Sequence, residues 1–373
     1  NAMAGVLNII TKRPSLNSEV ILSSRFRQPS LFENGFNFTG GKGQHGLSVY
    51  YNNIQNTGFK LYKSDKAYTV PPSHEHHFQF RWYSELNGWK IQPRVRYSHL
   101  NTPRSKMENG QTPYDQDSKE EDLAFGLKIE KSITKKLKES LSFYNNSFRT
   151  TQYLEEVALG QAIQSSFNEH TIRAEILQNW SVSEHFQMVS GAGFRQDELI
   201  SSQTVNAPKR SNLFAFNQWV FSWKKINLQT GLRYDYYKNF GDQFSPSLSA
   251  KYKINQRFNL NLSSGVGFRV PELRQQYLDF SNPAIGYTIL GAEVAKERIA
   301  QLDQQGIIKQ IILPNFDDDL QAEKSWSNNL SLKYSHQKIF ASVGVFHNQI
   351  RNYISTISVA QKQNNQYIYS YSN

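Results

Sequence analysis

The 373 residues include 24 Phe, 20 Tyr and 6 Trp, yet the apolar fraction is only 38% and the mean hydropathy is −0.62. No run approaches the roughly 18 consecutive apolar residues of a spanning helix, which excludes a helical membrane protein, and the lack of cysteine excludes disulfides, thiolate metal sites and cysteine nucleophiles. The formal charge of +11 is spread along the chain rather than gathered in one block, so it favours a basic lumen or a lipopolysaccharide-facing rim over a nucleic-acid partner.

No signal peptide opens the chain, and Asn1-Ala2-Met3 has the form of a tag remnant. Further along, alternation of period two dominates. Ile91, Pro93, Val95 and Tyr97 oppose Lys90, Gln92, Arg94 and Arg96. Leu123, Phe125, Leu127 and Ile129 oppose Ala124, Gly126, Lys128 and Glu130. The same pattern runs from Ile226 to Tyr236, with Asn227, Gln229, Gly231, Arg233 and Asp235 on the other face, and from Phe258 to Phe268. Several of these runs reach ten residues or more, the length a tilted strand needs to cross a bilayer.

Connections alternate as well. Tight turns fall at Asn87-Gly88, Thr134-Lys135-Lys136, Ser181 to Glu184, Lys224-Lys225, Asn255-Gln256 and Ser335-His336-Gln337. Longer polar loops are expected near 55–74, 101–118, 151–165, 200–210, 238–243, 270–322 and 353–365. Short connections at one end and long ones at the other fit an antiparallel transmembrane β-barrel, whose short turns lie on the periplasmic side. At this spacing the all-β chain holds about sixteen strands, the last ending at Asn373. Tyr97, Trp180, Trp223, Tyr236 and Tyr252 are placed to form interfacial girdles.

Five segments resemble the TonB-dependent receptors of the bacterial outer membrane. Ala4-Gly5-Val6-Leu7-Asn8-Ile9-Ile10-Thr11-Lys12 is similar to the end of that family's plug, and Gly231-Leu232-Arg233-Tyr234-Asp235-Tyr236 followed by Phe244-Ser245-Pro246 to its central barrel pattern. Gly267-Phe268-Arg269-Val270-Pro271-Glu272-Leu273 with Tyr277-Leu278-Asp279-Phe280 resembles a further family segment. So do Leu320-Gln321-Ala322-Glu323-Lys324-Ser325-Trp326-Ser327 and Val345-Phe346-His347-Asn348-Gln349-Ile350. The resemblance implies a division into a tag remnant at 1–2, the end of a plug with its linker at 3–14, and a barrel at 15–373 that lacks further C-terminal strands of a 22-stranded barrel. An incomplete barrel would leave its first and last strands with unpaired backbone groups. The piece is then expected to close on itself, to pair with a neighbouring copy, or to be ordered only outside a membrane; hydrogen bonds between residues 17–28 and the last strand would mark closure.

The resemblance also implies active uptake of a scarce nutrient, a ferric siderophore ahead of cobalamin, haem or a glycan. The partners are then a TonB-type energy-coupling protein, the small-molecule ligand and outer-membrane lipid. A passive porin-like channel is the alternative, and an enzyme is not expected. Long loops carry function, and the family builds its ligand site from extracellular loops, so Tyr277, Tyr287, Arg274 and Arg298 are the candidate ligand contacts, against simple loop packing. Arg94, Arg96, Arg173, Arg195, Arg233 and Arg269 fall on the lumen-facing parity. They either draw an anionic siderophore and line the plug interface or pair internally with Glu130, Glu175 and Asp235. His74, His76 and His77 form a histidine cluster in an expected external loop, open to metal or haem iron or simply to solvent. The resemblance disfavours haem, since the haem branch of the family tends to place a histidine in the loop after the Phe-Arg-x-Pro segment and residues 272–313 contain none. Asp317-Asp318-Asp319 reads as a solvated turn rather than a calcium loop, His170 and His347 stand alone, and no cofactor or metal ligand set is expected.

Overall fold

A computed structural model describes residues 14, 17–109, 112–156, 161–202, 204, 207–282, 287–314 and 319–373. Asn1-Ala2-Met3, the plug-like Ala4 to Lys12 segment and Asp317-Asp318 lie outside the described residues. The first nine strands are β1 (Glu19–Arg27), β2 (Leu31–Lys42), β3 (His45–Asn56), β4 (Ser73–Leu86), β5 (Trp89–Asn109), β6 (Thr112–Ser132), β7 (Leu137–Glu156), β8 (Gln161–Ser181) and β9 (Phe186–Ser201). After them come β10 (Lys209–Trp223), β11 (Ile226–Tyr237), β12 (Gly241–Lys253) and β13 (Phe258–Arg269). The chain then makes an excursion through α1 (Leu273–Tyr277), β14 (Asp279–Asn282), β15 (Tyr287–Leu290), α2 (Ala292–Gln304) and β16 (Ile308–Ile311). It returns as β17 (Glu323–His336) and β18 (Ile339–Arg351), and ends in β19 (Ser355–Lys362) and β20 (Tyr367–Ser372).

Fifteen strands form one antiparallel sheet in chain order, β1 to β13 followed by β17 and β18. Among the described residues no ladder joins β1 to β18, so the sheet does not close on itself. The sixteenth expected strand is not a barrel strand: β19 and β20 belong to a second sheet of order β14-β15-β20-β19-β16. β5 to β8 run to 20 or 21 residues, about twice the 9–11 needed to cross hydrocarbon. The expected loops at 101–118 and 151–165 are therefore largely the upper halves of paired strands. Their polar sequence hides this because a strand standing in water on both faces has no reason to alternate. Arg104 ties three of these extensions together, reaching Asp115 of β6 at 3.1 Å and Glu155 of β7 at 2.5 Å.

The two faces separate as the alternation requires. Leu123, Leu141 and Ile176 stand 51–53% exposed on the outer face, where a bilayer would meet them, while Ala124, Phe214 and Asp235 on the inner face are buried. The tight turns carry the left-handed conformations such hairpins need, with Asn87 at φ 48° and Gly88 at φ 78°. On the inner face, Gly191 and Gly193 lie opposite Phe216 and Phe214 in register. A Cβ on either glycine would come within 2.5 Å of a ring carbon, so the glycines make the space in which those rings lie flat against β9.

Gly193→Val should lower the folded protein's stability in micelles by about 1–3 kcal/mol, because the new side chain meets both the Phe214 ring and the Ala174 carbonyl. Ala192→Val, one residue away on the outer face, should change it by under about 0.5 kcal/mol. Urea titration followed by the heat-dependent gel shift of a folded barrel measures both.

Candidate ligand-binding site

The second sheet and α2 form a small canopy at the long-loop end of the barrel sheet. Ala292, Ala295, Ile299 and Leu302 recur at helical spacing and bury one stripe of α2. Three of them pack with Leu290 of β15, Ile308 of β16, Val359 and Ala360 of β19 and Ile368 of β20. Each such aliphatic side chain contributes about 1.5–3 kcal/mol on full burial. Glu293 in the first turn of α2 suits the helix dipole. The helix-facing parity of β20 is Ile368 and Ser370; the opposite parity is Tyr367, Tyr369 and Tyr371.

The canopy is fixed to the barrel by charged contacts. Arg269, at the end of β13, donates from Nε to Glu323 Oε2 at 2.6 Å, and Glu323 Oε1 accepts the backbone N–H of Ile354 at 2.8 Å. Glu323 is 1% exposed, so both entrances to the canopy converge on one buried carboxylate. Arg210 of β10 donates to the carbonyl of Pro271 and to Asp197 of β9. Phe268, Val270 and Ala322 close over the strand ends with Tyr237 and Phe240.

All four candidate contacts lie between β13 and β17, Arg274 and Tyr277 on α1 and Tyr287 and Arg298 in the canopy. Tyr277 is half-buried at the end of α1, and Arg274 of the same helix lies 3.7 Å from the centroid of Phe167 and 3.4 Å from Glu169 of β8. Tyr287 opens β15, with its ring 6.4 Å from Phe280. Arg298 of α2 reaches Asp279 at 3.0 Å and Gln301 at 3.3 Å. Thus Arg274 stands at the barrel mouth, whereas Arg298 is tied into the canopy itself. The sequence did not single out Tyr367 and Tyr369, which run parallel to and in register with Tyr287 and Ile289. The signal was the alternation of tyrosines near the C-terminus, which reads equally well as a barrel strand.

Below the canopy three of the six inner arginines are paired along their own strands: Arg173 with Glu175 at 2.6 Å, Arg195 with Asp197 at 2.9 Å, and Arg233 with Asp235 through two bonds of 2.7 Å. Arg96 pairs with Asp122 at 2.8 Å. Glu130 takes Lys128 and Gln92 rather than an arginine, and Arg94 lies over Gly126. Arg94, Arg96, Lys128 and Arg173 border a cavity of about 820 Å³ on the inner face. Arg233 and Arg173 also lie 4.3 and 5.3 Å from the centroid of Phe214, one ring shared by two cations.

The histidine cluster is not in a loop. His74, His76 and His77 belong to β4, where alternation sends His76 to the outer face and His77 to the inner one. The ring of His76 lies 6.4 Å from that of His99 and meets the Tyr51 hydroxyl at 2.9 Å, while His77 pairs with Glu75 at 3.3 Å. Among the described residues no three His, Cys, Asp or Glu side chains gather to hold a metal ion. His170 is bound to Asn145 at 2.6 Å, and His347 is exposed on β18.

Comparison with known proteins places this geometry. Residues 22–373 match the family profile described as "TonB dependent receptor-like, beta-barrel". The vitamin B12 transporter BtuB of Vibrio cholerae is 23% identical over 329 residues, which cover 83% of this chain and 50% of that protein. The siderophore receptor PirA of Pseudomonas aeruginosa has a TM-score of 0.69 at 15% identity, covering 99% of this chain and 63% of that one. A mutant of the ferric enterobactin receptor PfeA of the same organism reaches 0.70 at 16%, covering 100% and 60%. The chain spans about half the length of the curated BtuB relatives it matches.

Arg269→Ala leaves the Glu323 carboxylate buried and unpaired, a cost of about 3–5 kcal/mol. It should release the canopy, accelerating tryptic cleavage at Arg274, Arg298 and Lys309 tenfold or more while the barrel strands stay protected. The canopy should also respond to pH. Burial raises the pKa of Asp279 despite Arg298 beside it, and burial lowers that of Lys362, whose Nζ donates to Thr288. A carboxyl with a raised folded-state pKa holds its proton more tightly when folded. Its contribution is complete below the ordinary carboxylate range and is lost as pH rises through the folded value. Lys362 runs the other way, its contribution falling as pH drops from the ordinary ammonium range to its lowered folded value. Asp279→Asn should therefore flatten the acidic flank of canopy stability, read by hydrogen exchange of residues 287–311 across pH.

Proposed function

The chain belongs to the TonB-dependent receptor-like β-barrel family, and on that premise we propose that it serves an outer-membrane receptor for active uptake of a scarce nutrient, a ferric siderophore foremost. Cobalamin, haem or a glycan are the lesser alternatives. The observation that carries the reading is the canopy: two loops joined into one packed sheet, tied to the barrel rim at Glu323, with an aromatic row beside Arg274 at the mouth. A passive channel has no need to spend two loops on a rigid roof, whereas capture from dilute medium needs a preorganised surface.

In this reading Tyr277, Tyr287 and Arg274 contact the ligand, with Tyr287 extended by Tyr367. Flat rings give contact area at little entropic cost, and the guanidinium supplies charge to an anionic ferric complex. Arg298 is the fourth contact; Asp279 holds it at 3.0 Å, closer than the 3.4 Å between Arg274 and Glu169. The inner arginines, of which Arg173, Arg195 and Arg233 are neutralised within their own strands, line the space in which a plug would sit. The remaining partners are a TonB-type coupling protein acting through that plug, and outer-membrane lipid.

A deletion strain should grow poorly when a ferric siderophore is the sole iron source and normally on free ferrous iron, cobalamin or glycan. No defect on any source overturns uptake, and import that survives collapse of the proton gradient favours the passive channel. Arg274→Ala with Tyr287→Ala should raise the Kd for the ferric siderophore tenfold or more, about 1.4 kcal/mol, measured by tryptophan quenching.

A further inference from the structure

The charge of the molecule is polarised between the two ends of the barrel sheet. The seven short turns with their strand ends, residues 42–45, 85–90, 130–139, 181–186, 223–226, 251–258 and 333–339, hold thirteen Lys and Arg against four Asp and Glu. The described residues of the opposite connections, 28–30, 57–72, 101–118, 151–166, 199–210, 237–243 and 270–322, hold twelve against thirteen. The short-turn rim, at thirteen against four, is therefore the end with the positive excess. Lys135, Lys136, Lys224, Lys225, Lys253 and Arg257 are exposed there.

The same rim carries four of the six tryptophans. Trp82, Trp89, Trp180 and Trp223 are on the outer face and 42–48% exposed. Two of them are interleaved with the lysines: Lys131 Nζ lies 4.4 Å from the Trp89 ring centroid and Lys224 Nζ lies 4.9 Å from that of Trp223. Outward tryptophans settle at the depth of lipid headgroups, where the indole is apolar on its face and polar at its N–H. Lysines at that depth extend their stems along apolar surface and hold the ammonium at the phosphate. A soluble polyanion would account for the cations but not for the ring of outward indoles at the same level.

We propose that the short-turn rim is a binding belt for anionic phospholipid, in which phosphodiester headgroups of the periplasm-facing leaflet are held by the turn lysines and seated by the adjacent tryptophans. The belt requires only that the barrel resides in a membrane and is independent of which nutrient the receptor takes. It fixes the barrel's depth and orientation in one leaflet by charge, since the opposite end offers no comparable excess.

Native mass spectrometry of the detergent-purified protein with equimolar phosphatidylglycerol and phosphatidylcholine reads this directly. Phosphatidylglycerol adducts should exceed phosphatidylcholine adducts at least fivefold and weaken as salt rises. Lys135→Gln, Lys136→Gln, Lys224→Gln and Lys225→Gln together should bring the ratio close to one. Removing equal charge at the other end, at Lys63, Lys66, Lys119 and Lys238, should leave it unchanged. Trp89→Ala with Trp223→Ala, which alters no charge, should lower the ratio at least twofold, and the heat-dependent gel shift certifies folding of each variant. Equal preference in both lysine variants overturns the proposal, as does competition by polyglutamate or lipid A as effective as that by phosphatidylglycerol.

Discussion

In hydrocarbon no water is available to satisfy a backbone amide, and each unsatisfied group costs several kcal/mol. The antiparallel ladder from β1 through β13 to β17 and β18 answers that constraint for every strand between its two edges, β1 and β18, and the rest of the molecule is arranged around it. Once every strand must pair with both neighbours along its whole transmembrane length, side chains can only alternate, so one face meets lipid and the other is free to be polar. Short turns at one end keep successive strands adjacent. All elaboration is pushed to the other end, where water restores backbone freedom and the chain can spend more than fifty residues between β13 and β17.

The polar face has an economy of its own. Arg173 and Arg195 lie directly opposite one another on β8 and β9, a repulsive cross-strand placement taken alone. Each is offset by a carboxylate two residues along its own strand, Glu175 and Asp197, and Arg233 repeats the arrangement with Asp235 on β11. Neutralisation within a strand does not depend on the neighbour's identity, so it survives variation in what fills the interior. Gly191 and Gly193 complement it, letting Phe214 lie flat beneath two of the guanidinium groups.

The transmembrane part was legible because it obeys one local rule. Leu123 to Glu130 alternates, Asn87-Gly88 turns, and the observed ladder follows directly from both. Three things were not legible, each for its own reason. The upper halves of β5 to β8 stand in water on both faces and lose their alternation. The cluster His74, His76 and His77 was assigned to a loop because polar residues beside Pro71-Pro72 look like one, yet β3 and β5 pair with it throughout. Tyr367 to Tyr371 alternates as a barrel strand does, but besides the neighbouring β19 it pairs with the four-residue β15, some eighty positions earlier, in a parallel pairing that local pattern cannot announce. Of the candidate site, the region and Tyr287 with Arg274 came from the sequence; the second half of the aromatic row required the fold.

The canopy joins elements from both sides of the β17–β18 hairpin, since β14 to β16 precede it and β19 and β20 follow it. Its assembly therefore depends on the register in which that hairpin is laid into the barrel. A slip of two residues keeps every side chain on its proper face and satisfies the lipid, so the bilayer cannot detect it. The same slip would displace the hairpin by about 7 Å, carrying Glu323 away from Arg269 and β20 out of step with β15. The canopy thus acts as a gauge of assembly, locking only when the strands beneath it have been placed correctly.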